Sequence, residues 1–246
     1  MKVWTKVAVS LAAAAAMCVV SVAPAAAASL ILNGGFESGF GSWTRIDQLG
    51  SDGAFFLQSG TTSPVNGFSV PAPSGGTNAA MTDAGGPGSH VLYQDFVVPG
   101  LGSAALSFDL FIGNRADPAF PPVWASPATL AFDTPVLNQQ ARVDLLLGGT
   151  NPFSVAGGDI IQNLYQTKIG DPLVAGYFTI SLDLTSVLAG RVGQTVRLRI
   201  AEVDNLAPFQ LGVDRVGLET SPVPEPTSMV LLGAGLAALV VRRRRR

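Results

Sequence analysis

Between residues 29 and 221 the chain returns again and again to one pattern, apolar and polar side chains in alternation. Residues 105–112 set Leu106, Phe108, Leu110 and Ile112 against Ser107 and Asp109. Residues 177–183 set Phe178, Ile180 and Leu182 against Thr179, Ser181 and Asp183, and residues 195–200 set Val196, Leu198 and Ile200 against Arg197 and Arg199. A period of two sends successive side chains to opposite faces of a strand, and no stretch here sustains the 3.6-residue spacing of a helix. Noisier strands are predicted at 30–32, 54–58, 78–81, 91–98, 140–147 and 211–218, with one helical turn at 184–189, opened by Asp183 and closed by Gly190. About ten strands with one polar face each, punctuated by breakers such as Gly85-Gly86-Pro87-Gly88 and Gly148-Gly149, predict an all-β fold. The expected architecture is an antiparallel β-sandwich, a jelly roll. A β-solenoid would need a repeat period, and none is present.

The two ends belong to a different class of sequence. Lys2 and Lys6 precede an apolar run over 7–22, and 25–28 are alanines suited to cleavage, the layout of a secretory signal peptide. Cleavage after Ala28 starts the mature chain at Ser29. At the other end, Pro224-Glu225-Pro226 is followed by an apolar run over 229–241 and then five arginines, 242–246. Thirteen apolar residues fall short of the roughly 20 that cross a bilayer untilted, and Gly233 and Gly235 weaken the helix further. The arginine block holds its own end on the cytoplasmic side, so the rest of the chain lies on the far side. The domain division is therefore 1–28, 29–221 and 222–246, the last including a short C-terminal transmembrane helix.

This C-terminal arrangement resembles the PEP-CTERM sorting signal of Gram-negative bacteria, on the motif Pro224, Glu225 and Pro226, the short apolar helix and the basic tail. The resemblance implies an exosortase as processing partner, a transient membrane attachment, and a final place in the cell envelope, at the cell surface or in the extracellular matrix.

Removing both ends changes the charge. The full chain has 15 basic and 17 acidic residues, net −2, but seven of the basic residues lie in the terminal segments. Residues 29–221 keep 8 basic and 16 acidic side chains, a net charge of about −8. That balance excludes nucleic acid as a partner. The single cysteine, Cys18, lies in the signal peptide, so the mature protein is expected to have neither disulfides nor thiol chemistry.

Two segments carry more than alternation: Asn33-Gly34-Gly35-Phe36-Glu37 with Trp43, and residues 196–205 followed by Leu211-Gly212-Val213-Asp214-Arg215-Val216. They resemble the paired ends of galactose-binding-like jelly rolls, a group that includes many carbohydrate-binding modules. The resemblance implies adjacent first and last strands and one structural calcium, with Glu37 and Asp214 as its carboxylates. It also implies exposed aromatic side chains that stack on sugar rings. The proline-rich segment 113–139 holds the candidates, Trp124 and Phe120.

No catalytic constellation is apparent. His90 is the only histidine, read as a turn residue beside a strand, and no G-x-S-x-G elbow occurs. The chain reads as a non-catalytic exported protein that binds exopolysaccharide or contributes to a matrix. A polysaccharide hydrolase or lyase on the same fold, and a purely structural matrix protein, are the alternatives.

Overall fold

The structure, a computed structural model, describes residues 28–115, 122–126 and 128–223, together with Gly233 and Gly235. These residues form eleven strands and one helix: β1 Ala28–Ser29, β2 Thr44–Asp47, β3 Ala54–Gln58, β4 Ala79–Asp83, β5 Gly88–Val97, β6 Ser103–Asn114, β7 Gln140–Leu147, β8 Ile160–Gln166, β9 Phe178–Asp183, α1 Thr185–Ala189, β10 Thr195–Asp204 and β11 Phe209–Ser221. One sheet runs β3-β4-β11-β6-β9 with β1 on β11, and the other runs β2-β5-β10-β7-β8. Every ladder is antiparallel. The chain switches sheets repeatedly, as a jelly roll does, and the two sheets make a β-sandwich.

The alternation drives this arrangement. Leu106, Phe108, Leu110 and Ile112 of β6 meet Val196, Leu198 and Ile200 of β10 in one core that also holds Phe36, Trp43, Phe55 and Leu145. Each large apolar side chain removed from water there contributes roughly 2 kcal/mol. The strands expected at 54–58 and 140–147 have the bounds read from sequence. Residues 30–32 do not form one: the first ladder is Ala28–Ser29 against Thr220 and Glu219, and Leu30 N–H still reaches Leu218 O at 2.9 Å. The helical turn starts at Thr185 with Leu184 as its cap residue, while Asp183 Oδ1 accepts the Thr185 N–H at 2.8 Å. β2 and β8 have no clear alternation and escape the sequence reading, because both are edge strands.

The polar face of β9 is exposed, as its alternation implies, but the polar face of β10 in the second sheet is buried. Segments 128–139 and 148–159 lie over the outer side of the second sheet, where Leu130, Phe132, Phe153 and Val155 pack on Val91, Ala201 and Val203. Arg199 is accordingly fully buried, with Asp144 as its ion-pair partner.

The N-terminal motif is a compact turn organised by Asn33. Its Nδ2 donates to Gly39 O and Gly41 O, both at 2.9 Å, its Oδ1 accepts from Ser38 N–H, and its backbone O accepts from Trp43 Nε1. Phe36 and Trp43 pack ring to ring at 5.4 Å. Val216 N–H donates to Gly34 O, which joins this turn to the last strand as the galactose-binding-like resemblance implied.

Candidate functional site

The edge strands β8 and β9 belong to different sheets, and between them the sandwich stays open. The register of β8 on β7 is irregular, with breaks at Val143/Asp144 and Leu145/Leu146, and the consecutive β8 residues Asn163 to Gln166 line this gap. The result is a cleft of about 650 Å³, floored by Ile112, Leu164, Tyr165 and Phe178 and rimmed by Lys168 and Asp171. That volume suits a small organic ligand. The rings of Tyr165 and Phe178 lie 5.9 Å apart. Burial, and secondarily the Asp171 charge, push the Tyr165 phenol above its ordinary range, so it remains a hydrogen-bonding hydroxyl at neutral pH.

Trp124, the aromatic expected to stack on sugar, stands beside this cleft. Its Nε1 donates to Thr167 O at 2.6 Å, next to Gln166 and Lys168 of the cleft wall, and its side chain is 47% exposed. Ile169 and Val174, in the connection between β8 and β9, are exposed. Phe120, the second stacking candidate, lies outside the described residues, as do Pro224, Glu225 and Pro226.

Glu37 and Asp214 converge on one loop. Glu37 Oε1 accepts the N–H groups of Thr77 and Asn78 at 2.8 and 2.9 Å, and Asp214 Oδ2 accepts the Gly75 N–H at 2.8 Å. The bonds from Asn78 and Thr77 hold the Glu37 carboxyl below its ordinary range. Burial pushes Asp214 the other way. Gly76 is cradled there: a Cβ on it would stand 2.3 Å from Glu37 Oε1. The two carboxylates thus staple residues 75–78 to both ends of the domain. Among the described residues no cluster of three His, Cys, Asp or Glu side chains is placed to hold a metal, so a cation here would take its remaining ligands from carbonyls. Glu37 Oε2 takes no hydrogen bond among these residues.

His90 corrects the sequence reading. It lies inside β5, fully buried, facing Glu202 across the ladder, and its Nδ1 is 2.7 Å from Asp47 Oδ1. His90 Nε2 and Glu202 Oε1 make no hydrogen bond. Burial raises Glu202 well above the ordinary carboxyl range, with Asp204 and Asp47 adding to it. Asp204, at a smaller pocket of about 220 Å³ walled by Gly85, Gly86 and residues 205–208, is pushed by burial from 3.8 to about 7, against the Gly88 N–H bond and with the Asp52 charge. A folded-state pKa above the unfolded value gives stability that is complete below about pH 4 and lost as pH rises through 7. Asp204→Asn keeps an acceptor for Gly88 and cannot ionise. Its melting temperature relative to the parent should therefore climb between pH 5 and pH 8, by an amount worth up to about 2–3 kcal/mol. Parallel melting curves for the two proteins would refute the assignment.

Sequence reasoning missed the cleft because β8 reads Ile-Ile-Gln-Asn-Leu-Tyr-Gln, with neither alternation nor helical spacing. It missed the Asp47–His90–Glu202 row because their partnership depends on register between strands.

The family model for the PEP-CTERM protein-sorting motif matches residues 222–246, and the chain carries that motif at its C-terminus. Among the described residues no helix is long and apolar enough to cross a membrane; the apolar run 229–241 falls almost wholly outside them. Comparison with curated proteins gives no match. Solved structures of similar shape include TmCBM61 in complex with β-1,4-galactotriose, at 12% identity and TM-score 0.45, covering 79% of this chain and 99% of that one. The K3 cleaved adhesin domain of Lys-gingipain from Porphyromonas gingivalis W83 has 15% identity and TM-score 0.45, covering 78% and 98%. A cyclase from Fischerella sp. TAU has 15% identity and TM-score 0.45, covering 81% and 100%. At that distance they assign neither ligand nor activity to this chain.

Proposed function

We propose that this is an exported, non-catalytic carbohydrate-binding protein of the Gram-negative cell envelope or extracellular matrix, processed by an exosortase at its C-terminal signal. The observation that carries the reading is the largely apolar cleft between β8 and β9, with a half-exposed tryptophan hydrogen-bonded to Thr167 O beside its wall, in a domain followed by a sorting motif. Pyranose rings present flat apolar faces edged by hydroxyls, and an aromatic face beside polar groups matches both. The layout along the strands supports the same reading. β11 pairs Ser221 with Ser103 at one end of β6 and Phe209 with Asn114 at the other. The sorting motif leaves from the Ser221 end, whereas Ile112 in the cleft floor lies near the opposite end, most of a 12-residue strand away. At about 3.3 Å per residue the cleft is carried roughly 25–30 Å from the point of attachment, where it is free to meet polysaccharide.

The test is retention of full-length protein on a panel of insoluble polysaccharides, paired with a reducing-sugar assay. Trp124→Ala should reduce retention at least tenfold and leave the melting temperature unchanged, since Trp124 is half exposed. Release of sugar by purified protein would overturn the non-catalytic reading in favour of a hydrolase.

A structural calcium at Glu37 and Asp214 belongs to the same proposal. It is supported by the convergence of both carboxylates on residues 75–78. Adding calcium should raise the melting temperature, and EDTA should lower it; identical melting in both rejects the site.

A further inference from the structure

We infer that the cleft takes acidic sugars, uronates in particular, and that Lys168 is the side chain that selects them; the inference rests on the carbohydrate-binding reading above. Residues 29–221 contain eight basic side chains, seven of them arginines. All seven arginines make side-chain hydrogen bonds or ion pairs within the domain. Among the described residues the Lys168 ammonium makes none, although the domain has twice as many acidic residues as basic ones. Among the described residues it is the one cation without a side-chain partner, and it lines the cleft.

The local backbone explains why its neighbour does not neutralise it. Residues 168–171 form a tight turn in which Gly170 adopts φ +96°, a conformation other residues rarely take. The Lys168 N–H donates to Asp171 Oδ2 at 2.8 Å, and the Asp171 N–H donates to Lys168 O at 3.1 Å. The Asp171 carboxylate is thereby tied to the turn's own backbone. The cleft's amide donors are committed too: Asn163 Nδ2 donates to Asp144 Oδ1 and Gln166 Nε2 to Gln140 Oε1. The charged donor that remains for a ligand is Lys168. Lys168 is exposed, so a ligand carboxylate reaches its ammonium without displacing a partner. A uronate offers a carboxylate for the ammonium and a ring face for Tyr165 and Phe178, which line the same cleft. The domain's net charge of about −8 opposes acidic polymers in general, so a preference for them is set by this one ammonium.

The experiment measures binding of full-length protein, in a non-glycosidic detergent, to polygalacturonate and to neutral dextran and galactan. The parent should bind polygalacturonate at least tenfold more tightly than either neutral chain. Lys168→Gln should lower binding to polygalacturonate to the level of the neutral chains, and Lys168→Arg should keep the preference. Trp124→Ala should weaken binding to all. Equal affinity for neutral and acidic chains, or a Lys168→Gln protein that still prefers polygalacturonate, overturns the inference and leaves the carbohydrate reading standing. Binding to none of them by the parent overturns both.

Discussion

Asp144→Ala should destabilise the domain by about 3–5 kcal/mol, the range for removing one member of a buried ion pair. In a chain of this size that lowers the melting temperature by roughly 10 °C. Asp144 is fully buried in β7 and holds two guanidinium groups. Arg142 reaches it with Nε and Nη2, both at 2.7 Å, and Arg199 reaches it from the neighbouring strand β10. Burial alone would raise the carboxyl, but Arg142 and Arg199 outweigh it and hold it below 3.8. Its contribution is therefore present at neutral pH and disappears as pH falls below that range. Arg199 also donates to Pro152 O and Ser154 O, so the cluster pins segment 148–159 over the sheet. Alanine leaves Arg199, fully buried, with those two carbonyls and no counter-charge. Urea denaturation of parent, Asp144→Ala and the triple variant Asp144→Leu/Arg142→Met/Arg199→Met separates the causes. The triple variant should recover most of the loss, because the penalty comes from stranded charge and not from the cavity. An Asp144→Ala protein within 1 kcal/mol of the parent would show that the covering segment opens to water.

How much of this was legible in sequence follows from which forces are local. Alternation sorts side chains between two faces, and so Phe108, Val196 and Phe178 could be assigned to one core before any coordinates. The Asn33–Trp43 turn was legible in part: Asn33-Gly34-Gly35-Phe36 with Trp43 stood out as a motif, and the Phe36 and Trp43 rings are buried in the core. What alternation cannot say is whether the other face meets water. Arg197 and Arg199 alternate with core residues as a polar stripe would, yet segment 148–159, which lies upstream in the chain, covers them and accepts their hydrogen bonds through Thr150 O, Pro152 O and Ser154 O. Covering segments carry no period of their own, so their destination is a tertiary fact. The same limit hid His90, whose partners Asp47 and Glu202 come from β2 and β10 and meet it only through register. Trp124 was picked out for its proline-rich surroundings, whereas the cleft it borders depends on β8, a strand without any period. Glu37 and Asp214 were paired by resemblance, and the structure joins them through the N–H groups of residues 75–78.

Gly34→Ala and Gly35→Ala, one residue apart in the same motif, should behave oppositely. A Cβ on Gly34 would stand 1.8 Å from Val216 O and 2.7 Å from the Val216 carbonyl carbon, and both are backbone atoms that no rotamer change can move aside. A Cβ on Gly35 meets only Asp214 Oδ1, at 3.9 Å, an ordinary contact. The close approach at Gly34 arises from the last strand: Arg215 has φ +51°, and the β11–β6 register shifts between Asp214 and Gly217. That bulge pushes Val216 toward the turn, where its N–H bonds to Gly34 O at 3.0 Å. Relief of the overlap requires the turn to lift away from β11, which breaks this bond and loosens the packing of Phe36 and Trp43 behind it. Overpacking commonly costs about 1–3 kcal/mol; with backbone on both sides of the clash, Gly34→Ala should cost about 3 kcal/mol or more, and Gly35→Ala less than about 1 kcal/mol. Chemical denaturation with Trp fluorescence reads both, since Trp43 sits at the joint. Equal small losses for the two variants would mean that the first and last strands are not locked together here, and the shared stapling of residues 75–78 by Glu37 and Asp214 would then have to hold the ends of the domain by itself.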